Sequence, residues 1–128
     1  MKKKLKILVV DDEEQIRWML KIGLEGSGWD VVHVGDGLAA LKEVEASKFD
    51  LIILDIMMPG ISGWDTLGRL RKLPHHKKTP VLMLSAKSTL GDVEQSLDLG
   101  ANDYITKPFD LPTLHAKVDK LLGPSANP

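Results

Sequence analysis

The sequence predicts an α/β protein built on a doubly wound parallel sheet. Three observations carry that expectation: five short apolar runs, a segment of helical periodicity after each run, and cap or turn residues at the junctions. The runs are Leu5 to Val10, Val31 to Val34, Leu51 to Leu54, Val81 to Leu84 and Tyr104 to Thr106. Three of them are nearly continuous in β-branched and aliphatic residues, the pattern of strands covered on both faces. Strict alternation of strand and helix needs a crossover at each return, which gives parallel pairing with helices on both sides of the sheet.

The elements follow in order. After the first run, Ile16, Leu20 and Leu24 repeat at i, i+4 and i+8, and Gly26-Ser27-Gly28 marks the stop. After the second, Asp36 stands where an N-cap belongs, and Leu38, Leu41 and Val44 recur every three residues. The third run leads to Ser62, a second cap with Asp65 three residues on, then to Leu67, Leu70 and a break at Pro74. Leu90, Val93 and Leu97 follow the fourth run and end at Gly100. Asp110 caps the last segment, with Leu111, Leu114, Val118 and Leu121 on its stripe. His75-His76-Lys77-Lys78 reads as a solvated basic loop, because adjacent imidazoles on a loop do not converge as a metal pair. Lys2-Lys3-Lys4 is a charged lead-in, and residues 123–128 read as a flexible tail or the stub of a linker.

Composition narrows the function. The chain has 128 residues, enough for one compact domain and one core without staples. It has no cysteine, which excludes a disulfide scaffold, a Cys-ligated metal site and a thiol nucleophile. With 17 Lys+Arg against 18 Asp+Glu the net charge is -1, so whole-chain electrostatics give no reason to expect binding to nucleic acid or to an acidic membrane. The longest apolar runs are about half a membrane span, and no signal-peptide core follows the first lysines. The expectation is a soluble, cytoplasmic single domain.

In such a sheet the reactive site lies outside the carboxyl ends of the strands. The first strand ends in Asp11-Asp12, the third in Asp55 and the fourth in Ser85, and Lys107-Pro108 follows the fifth. Clustered carboxylates need a cation to stay ionised together. Hard oxygen ligands without Cys favour Mg²⁺, which suits a phosphoryl group. A lysine and a hydroxyl beside it would take remaining phosphoryl oxygens. Asp is also an established phosphoryl acceptor, and Asp55, alone at the end of the central run, is the candidate nucleophile.

These residues resemble the receiver domain of bacterial response regulators, the phospho-acceptor part of two-component signalling. The resemblance spans nearly the whole chain, through Ile7-Leu8-Val9-Val10-Asp11-Asp12-Glu13, Asp50-Leu51-Ile52-Ile53-Leu54-Asp55-Ile56-Met57-Met58-Pro59-Gly60, Leu84-Ser85-Ala86 and Gly100-Ala101-Asn102-Asp103-Tyr104-Ile105-Thr106-Lys107-Pro108-Phe109. It implies a flavodoxin-like (βα)5 sheet of order 2-1-3-4-5, with residues 1–122 as the receiver. It implies Asp55 as phospho-acceptor, and Asp12, Asp55 and the Met57 carbonyl as Mg²⁺ ligands, with Asp11 acting mostly through water; Mn²⁺ could substitute. By the same resemblance Lys107 and Ser85 bind the phosphoryl group, Ser85 and Tyr104 form the switch, and the bond to Pro108 is cis. Phosphorylation would repack the surface of the fourth helix, fifth strand and fifth helix, where a downstream effector or output domain reads the state. The donor would be a sensor histidine kinase or a phosphotransfer protein. Ser85 stands for a commoner Thr, and Asn102 for a frequent Asp whose charge some relatives use in dimerisation.

Smaller signals remain. Trp18 and Ile22 fall off the first helical stripe and form a candidate kinase-docking surface. Trp64 lies soon after Asp55 and is a candidate fluorescent reporter. Met57 and Lys87, two residues beyond Asp55 and Ser85, occupy positions where relatives tune hydrolysis, and an apolar Met57 should lengthen the phosphoryl lifetime. Acidic Asp92, Glu94 and Asp98 opposite His115, Lys117 and Lys120 allow a phosphorylation-dependent homodimer or, equally, internal pairs. The competing classes are a non-phosphorylated interaction module, which the intact acids oppose, and a Mg²⁺-dependent phosphohydrolase. That enzyme would need an Asp where Met57 stands. Flavin binding lacks a phosphate loop after the first strand. The chain is expected to contain no output domain and to catalyse only its own phosphorylation and dephosphorylation.

Overall fold

The computed structural model describes residues 4–86 and 90–123, without the side chain of Leu90. The elements alternate as β1 (Lys6–Val10), α1 (Glu14–Glu25), β2 (Asp30–Val34), α2 (Gly37–Ala46), β3 (Leu51–Asp55), α3 (Gly63–Leu70), a 3-10 turn (Pro74–His76), β4 (Val81–Ser85), α4 (Leu90–Asp98), β5 (Asp103–Thr106) and α5 (Leu111–Leu122). The strands form one five-stranded sheet of order β2-β1-β3-β4-β5, with every neighbouring pair parallel. The flavodoxin-like doubly wound fold is therefore present. Among the described residues no helix is long and apolar enough to cross a membrane.

Alternation along the strands makes two cores. Ile7, Val9, Leu51 and Ile53 point to one face and pack with Leu20 and Leu24 of α1 and Leu114 and Val118 of α5. Leu8, Val10, Ile52 and Leu54 point to the other and pack with Ala40 and Val44 of α2 and Leu67 and Leu70 of α3. β3 is buried along its whole length, Asp55 included. The strand extends one residue beyond its apolar run because Asp55 is still in register with Leu84, as Ser85 is with Thr106.

The caps fall on the residues that the sequence offers: Asp36, Ser62 and Asp110 accept from the amides of Ala39, Asp65 and Thr113. Two stripes differ from expectation. Leu38 is exposed, and α2 buries Gly37, Ala40 and Val44 instead. A three-residue repeat slips about 60° per step around a helix of 3.6 residues per turn, so Leu38 and Val44 cannot share a face. In α4, Leu97 is exposed and Ser96 is buried, with its hydroxyl accepting the Trp64 indole N–H at 2.9 Å.

The basic loop also differs. His76 is fully buried at the edge opposite the strands' carboxyl ends. Its Nδ1 lies 2.9 Å from Thr79 Oγ1 and its Nε2 3.2 Å from the Val44 carbonyl, so the imidazole joins the end of α2 to the approach to β4. Charge pattern alone could not separate this ring from its solvated neighbours. At the same edge Arg71 donates to the carbonyls of His76 (2.8 Å), Thr79 (2.6 Å) and Gly100 (2.7 Å). Its Nη2 also reaches Asn102 Oδ1 at 3.1 Å, the oxygen that accepts from the Val81 amide. Asn102 thus has an internal task.

Candidate functional site

The carboxyl ends of β1 and β3 bring Asp11, Asp12 and Asp55 together, and one oxygen from each lies within 4.8 Å of the others. Asp11 is fully buried; its amide donates to the Val34 carbonyl at 3.2 Å, and its Oδ1 accepts from the Glu13 amide at 2.8 Å. Asp12, next along the turn, is exposed. Asp55 is 3% exposed and accepts the Met57 amide on Oδ1 at 3.3 Å.

The approach of α3 holds Asp55 from behind. The Gly63 amide donates to the Ile56 carbonyl at 2.8 Å, and a Cβ on Gly63 would overlap the backbone of Asp55 and Ile56. Only glycine lets the start of the helix come this close.

Among the described residues, Lys107 is the cation paired with the cluster's carboxylates. Lys107 Nζ lies 2.8 Å from Asp11 Oδ2, 3.2 Å from Asp55 Oδ2 and 3.3 Å from Glu13 Oε1. Its backbone is tied to β4 by the Lys107 amide, which donates to the Ser85 carbonyl at 2.8 Å, and the Lys107–Pro108 peptide is cis. Burial and then the charge of Asp11 raise the Asp55 pKa from 3.8 to about 6, against the opposing pull of Lys107. Burial by itself would lower the Lys107 pKa, but its ion pair with Asp11 and the charge of Asp55 prevail and raise it to about 12. Among the described residues one ammonium pairs with these carboxylates, which leaves them short of positive charge. Asp11 Oδ2 shows the deficit, because it is buried and has the ammonium nearby but no aligned hydrogen-bond donor among the described residues. Hard oxygens with unmet charge fit a divalent cation such as Mg²⁺.

The remaining predicted residues differ in their surroundings. Ser85 is buried at the end of β4. Tyr104 packs against the second core, and its hydroxyl is buried without a hydrogen-bond partner among the described residues. Met57 is exposed beside Asp55. Lys87 lies outside the described residues. Trp18 and Ile22 stand out from α1, 47% and 69% exposed.

A family model for the response regulator receiver domain matches residues 7–119. The chain belongs to that family. As a receiver domain it is 43% identical over 118 residues to the transcriptional activator protein IrlR of Burkholderia pseudomallei, covering 92% of this chain and 50% of that protein. It is 46% identical over 117 residues to the alkaline phosphatase synthesis transcriptional regulatory protein PhoP of Bacillus subtilis, covering 91% and 48%. The receiver therefore spans about half the length of these curated relatives. Among solved structures, chemotaxis protein CheY4 of Vibrio cholerae superposes with a TM-score of 0.90 at 31% identity, over 93% of this chain and 99% of that one. The receiver domain of sensor histidine kinase PA1611 of Pseudomonas aeruginosa, described with a magnesium ion coordinated in its active-site cleft, gives 0.87 at 28% over 94% and 99%.

Sequence reading missed two parts of this receiver. Glu13 is quoted in the motif yet given no role, and its contact with Lys107 depends on a fold that brings together residues 94 positions apart. The second is a hydroxyl–imidazole–carboxylate line away from the acidic edge: Ser27 Oγ lies 2.7 Å from His115 Nε2, and His115 Nδ1 lies 3.1 Å from Asp119 Oδ2. The amides of Gly26, Ser27 and Gly28 all return to carbonyls of α1 and cannot form an oxyanion hole. The negative end of the helix dipole there also opposes nucleophilic chemistry. The line fastens α5 to the turn after α1.

Proposed function

We propose that this receiver domain accepts a phosphoryl group on Asp55 from a histidine kinase or phosphotransfer protein and thereby switches the surface of α4, β5 and α5. The observation that carries the reading is Asp55 itself: a buried carboxylate at the end of β3, beside Lys107 and within an acidic cluster. An Asp55 oxygen forms the new P–O bond while the donor's P–N bond breaks, and the imidazole leaves with the bonding electrons. Asp12, Asp55 and the Met57 carbonyl would hold Mg²⁺ or Mn²⁺, with Asp11 acting through water. The ion would neutralise charge on the phosphoryl group, and the magnesium described for PA1611 supports this assignment.

Lys107 has its ammonium in place to follow the charge from carboxylate to phosphoryl oxygen. Ser85, at the end of the adjacent strand, donates to another oxygen, and Tyr104 moves into the space that Ser85 leaves. The solvent-facing Met57 shields the phosphoryl group from water, with Lys87 assigned to the same tuning. Trp18 and Ile22 present apolar area for the kinase. Lys117 and His115 pair within the chain, with Asp103 and Asp119, which reduces what a symmetric homodimer would draw from them. The names of IrlR and PhoP support a transcriptional output, in a partner or in further chain. We assign residues 1–122 to the receiver, 123–128 to a tail or linker and the protein to the cytoplasm. It acts on no other substrate.

Incubating the protein with a small-molecule phosphodonor and Mg²⁺ tests this. The expected result is a mass gain of one phosphoryl group that is absent in Asp55→Asn and does not form when Mg²⁺ is chelated beforehand. No gain in the wild type would leave only an interaction module.

A further inference from the structure

We propose that Arg17 and His33 form a positioning pair for the acidic site, in which neutral His33 holds the Arg17 guanidinium against the peptide unit joining Asp11 to Asp12. The inference rests on the reading above, because it concerns how those carboxylates are held. Arg17 lies one turn into α1. Its Nε donates to His33 Nδ1 at 3.1 Å, and its Nη1 donates to the Asp11 carbonyl at 2.8 Å.

The Asp11 carboxylate already has its own restraints, from the Glu13 amide and Lys107. The Asp11 carbonyl is a separate matter. It shares a plane with the Asp12 amide, and that plane sets the direction from which the exposed Asp12 side chain leaves the backbone. A guanidinium is a rigid planar fork, so fixing Nε on His33 also fixes where Nη1 points. Trp18 meets the imidazole with centroids 5.0 Å apart and planes at 61°, which limits the tilt of the ring. Gly35 provides the room: a Cβ there would come within 3.2 Å of Arg17 Nη1.

The Nε–H to Nδ1 bond requires an Nδ1 without a proton, so the pair exists only while His33 is neutral. The groups facing His33 come from α1. Burial, then the Arg17 and Lys21 cations, hold its pKa below the ordinary 6.5, against the Glu14 and Glu25 carboxylates. Protonation would set one N–H against another and free the guanidinium. The domain would then hold its divalent ion less well in acid for a reason separate from Asp55.

Calorimetric Mg²⁺ titration of metal-free protein tests the pair. Arg17→Ala and Arg17→Lys should both bind about tenfold more weakly at about pH 7.5, since one ammonium cannot span both acceptors. Arg17→Lys keeps the charge, and an unchanged melting temperature in it separates positioning from folding. His33→Gln offers an acceptor that does not titrate, so its affinity should fall less than the wild type's between about pH 7.5 and 5.5. Asp55 titrates in both proteins, and the difference belongs to His33. Without metal, the ring resonances of His33 should titrate at a higher pH in Arg17→Ala. Equal affinities for wild type and Arg17→Lys, or parallel pH profiles for wild type and His33→Gln, would overturn the pair and leave the proposed function intact. A wild type that binds no Mg²⁺ would overturn both.

Discussion

Asp55 is ionised at neutral pH although the fold opposes its charge. Its pKa of about 6 lies above the ordinary 3.8, so between about pH 4 and 6 the folded protein keeps a proton that the unfolded chain releases. Stability from this residue is therefore gained as pH falls through about 6 and lost as pH rises. At neutral pH the ionised group costs on the order of 3 kcal/mol, at about 1.4 kcal/mol per pKa unit. Asp55→Asn removes that charge, while Lys107 keeps its 2.8 Å pair with Asp11. We expect the variant to be more stable than wild type by about 2 kcal/mol in urea at neutral pH with chelator present, and the gain to shrink toward about pH 4. Saturating Mg²⁺ should narrow the difference too, because an ion held as proposed would stabilise the folded wild type more than Asp55→Asn, which lacks one of the carboxylates. The site thus carries a strain in charge that a bound cation would relieve.

The elements were legible where local chemistry decides them. Continuous apolar runs marked the central strands because both faces are covered, and Asp36, Ser62 and Asp110 marked helix starts because a cap acts within three residues. The α2 stripe is misread because a three-residue repeat does not hold one helix face, whereas other features have tertiary causes. At Gly63 the cause is space: α3 starts against the backbone of Asp55 and Ile56, and nothing in the sequence says that a side chain is forbidden there. Gly63→Ala should lower stability by about 2–3 kcal/mol, as overpacking does, and shift the amide resonances of Asp55 and Ile56 even where the protein folds. At Ser96 the cause is a partner 32 residues away. Ser96→Ala leaves the Trp64 indole N–H unpaired and should cost about 1–2 kcal/mol in thermal unfolding, with an altered Trp64 emission. If phosphorylation displaces α4, the emission of Trp64 reports it through this bond rather than through closeness to Asp55.

Over the whole molecule, Asp55 and His76, at opposite edges of the sheet, respond to acid with opposite signs. Asp55, at the carboxyl edge, favours the folded state when protonated. His76, at the other edge, is held neutral because burial lowers its pKa, against the raising effect of its backbone contacts with Val44 and Ser47. Its contribution is complete above the unfolded value of 6.5 and is lost as pH falls through the lowered folded value. Urea unfolding of Asp55→Asn, where the opposing titration is absent, should show stability falling below about pH 6.5, and His76→Gln in that background should show a smaller loss. The sequence displayed the four strand-end groups together because the α/β rule gathers them at one edge. It could not display His76, Arg71 or the Arg17–His33 pair, whose partners are assembled only by the crossovers.

β3 is buried on both faces, and its last residue is Asp55. Mechanically, Asp55 is mounted at the end of a central beam, clamped between neighbouring strands and backed by the start of α3. Lys107 and Ser85 hang from members nearer the edge. If Asp55 takes the phosphoryl group as proposed, the load falls on a clamped mount, and the response is expected on the β4 and β5 side of the sheet.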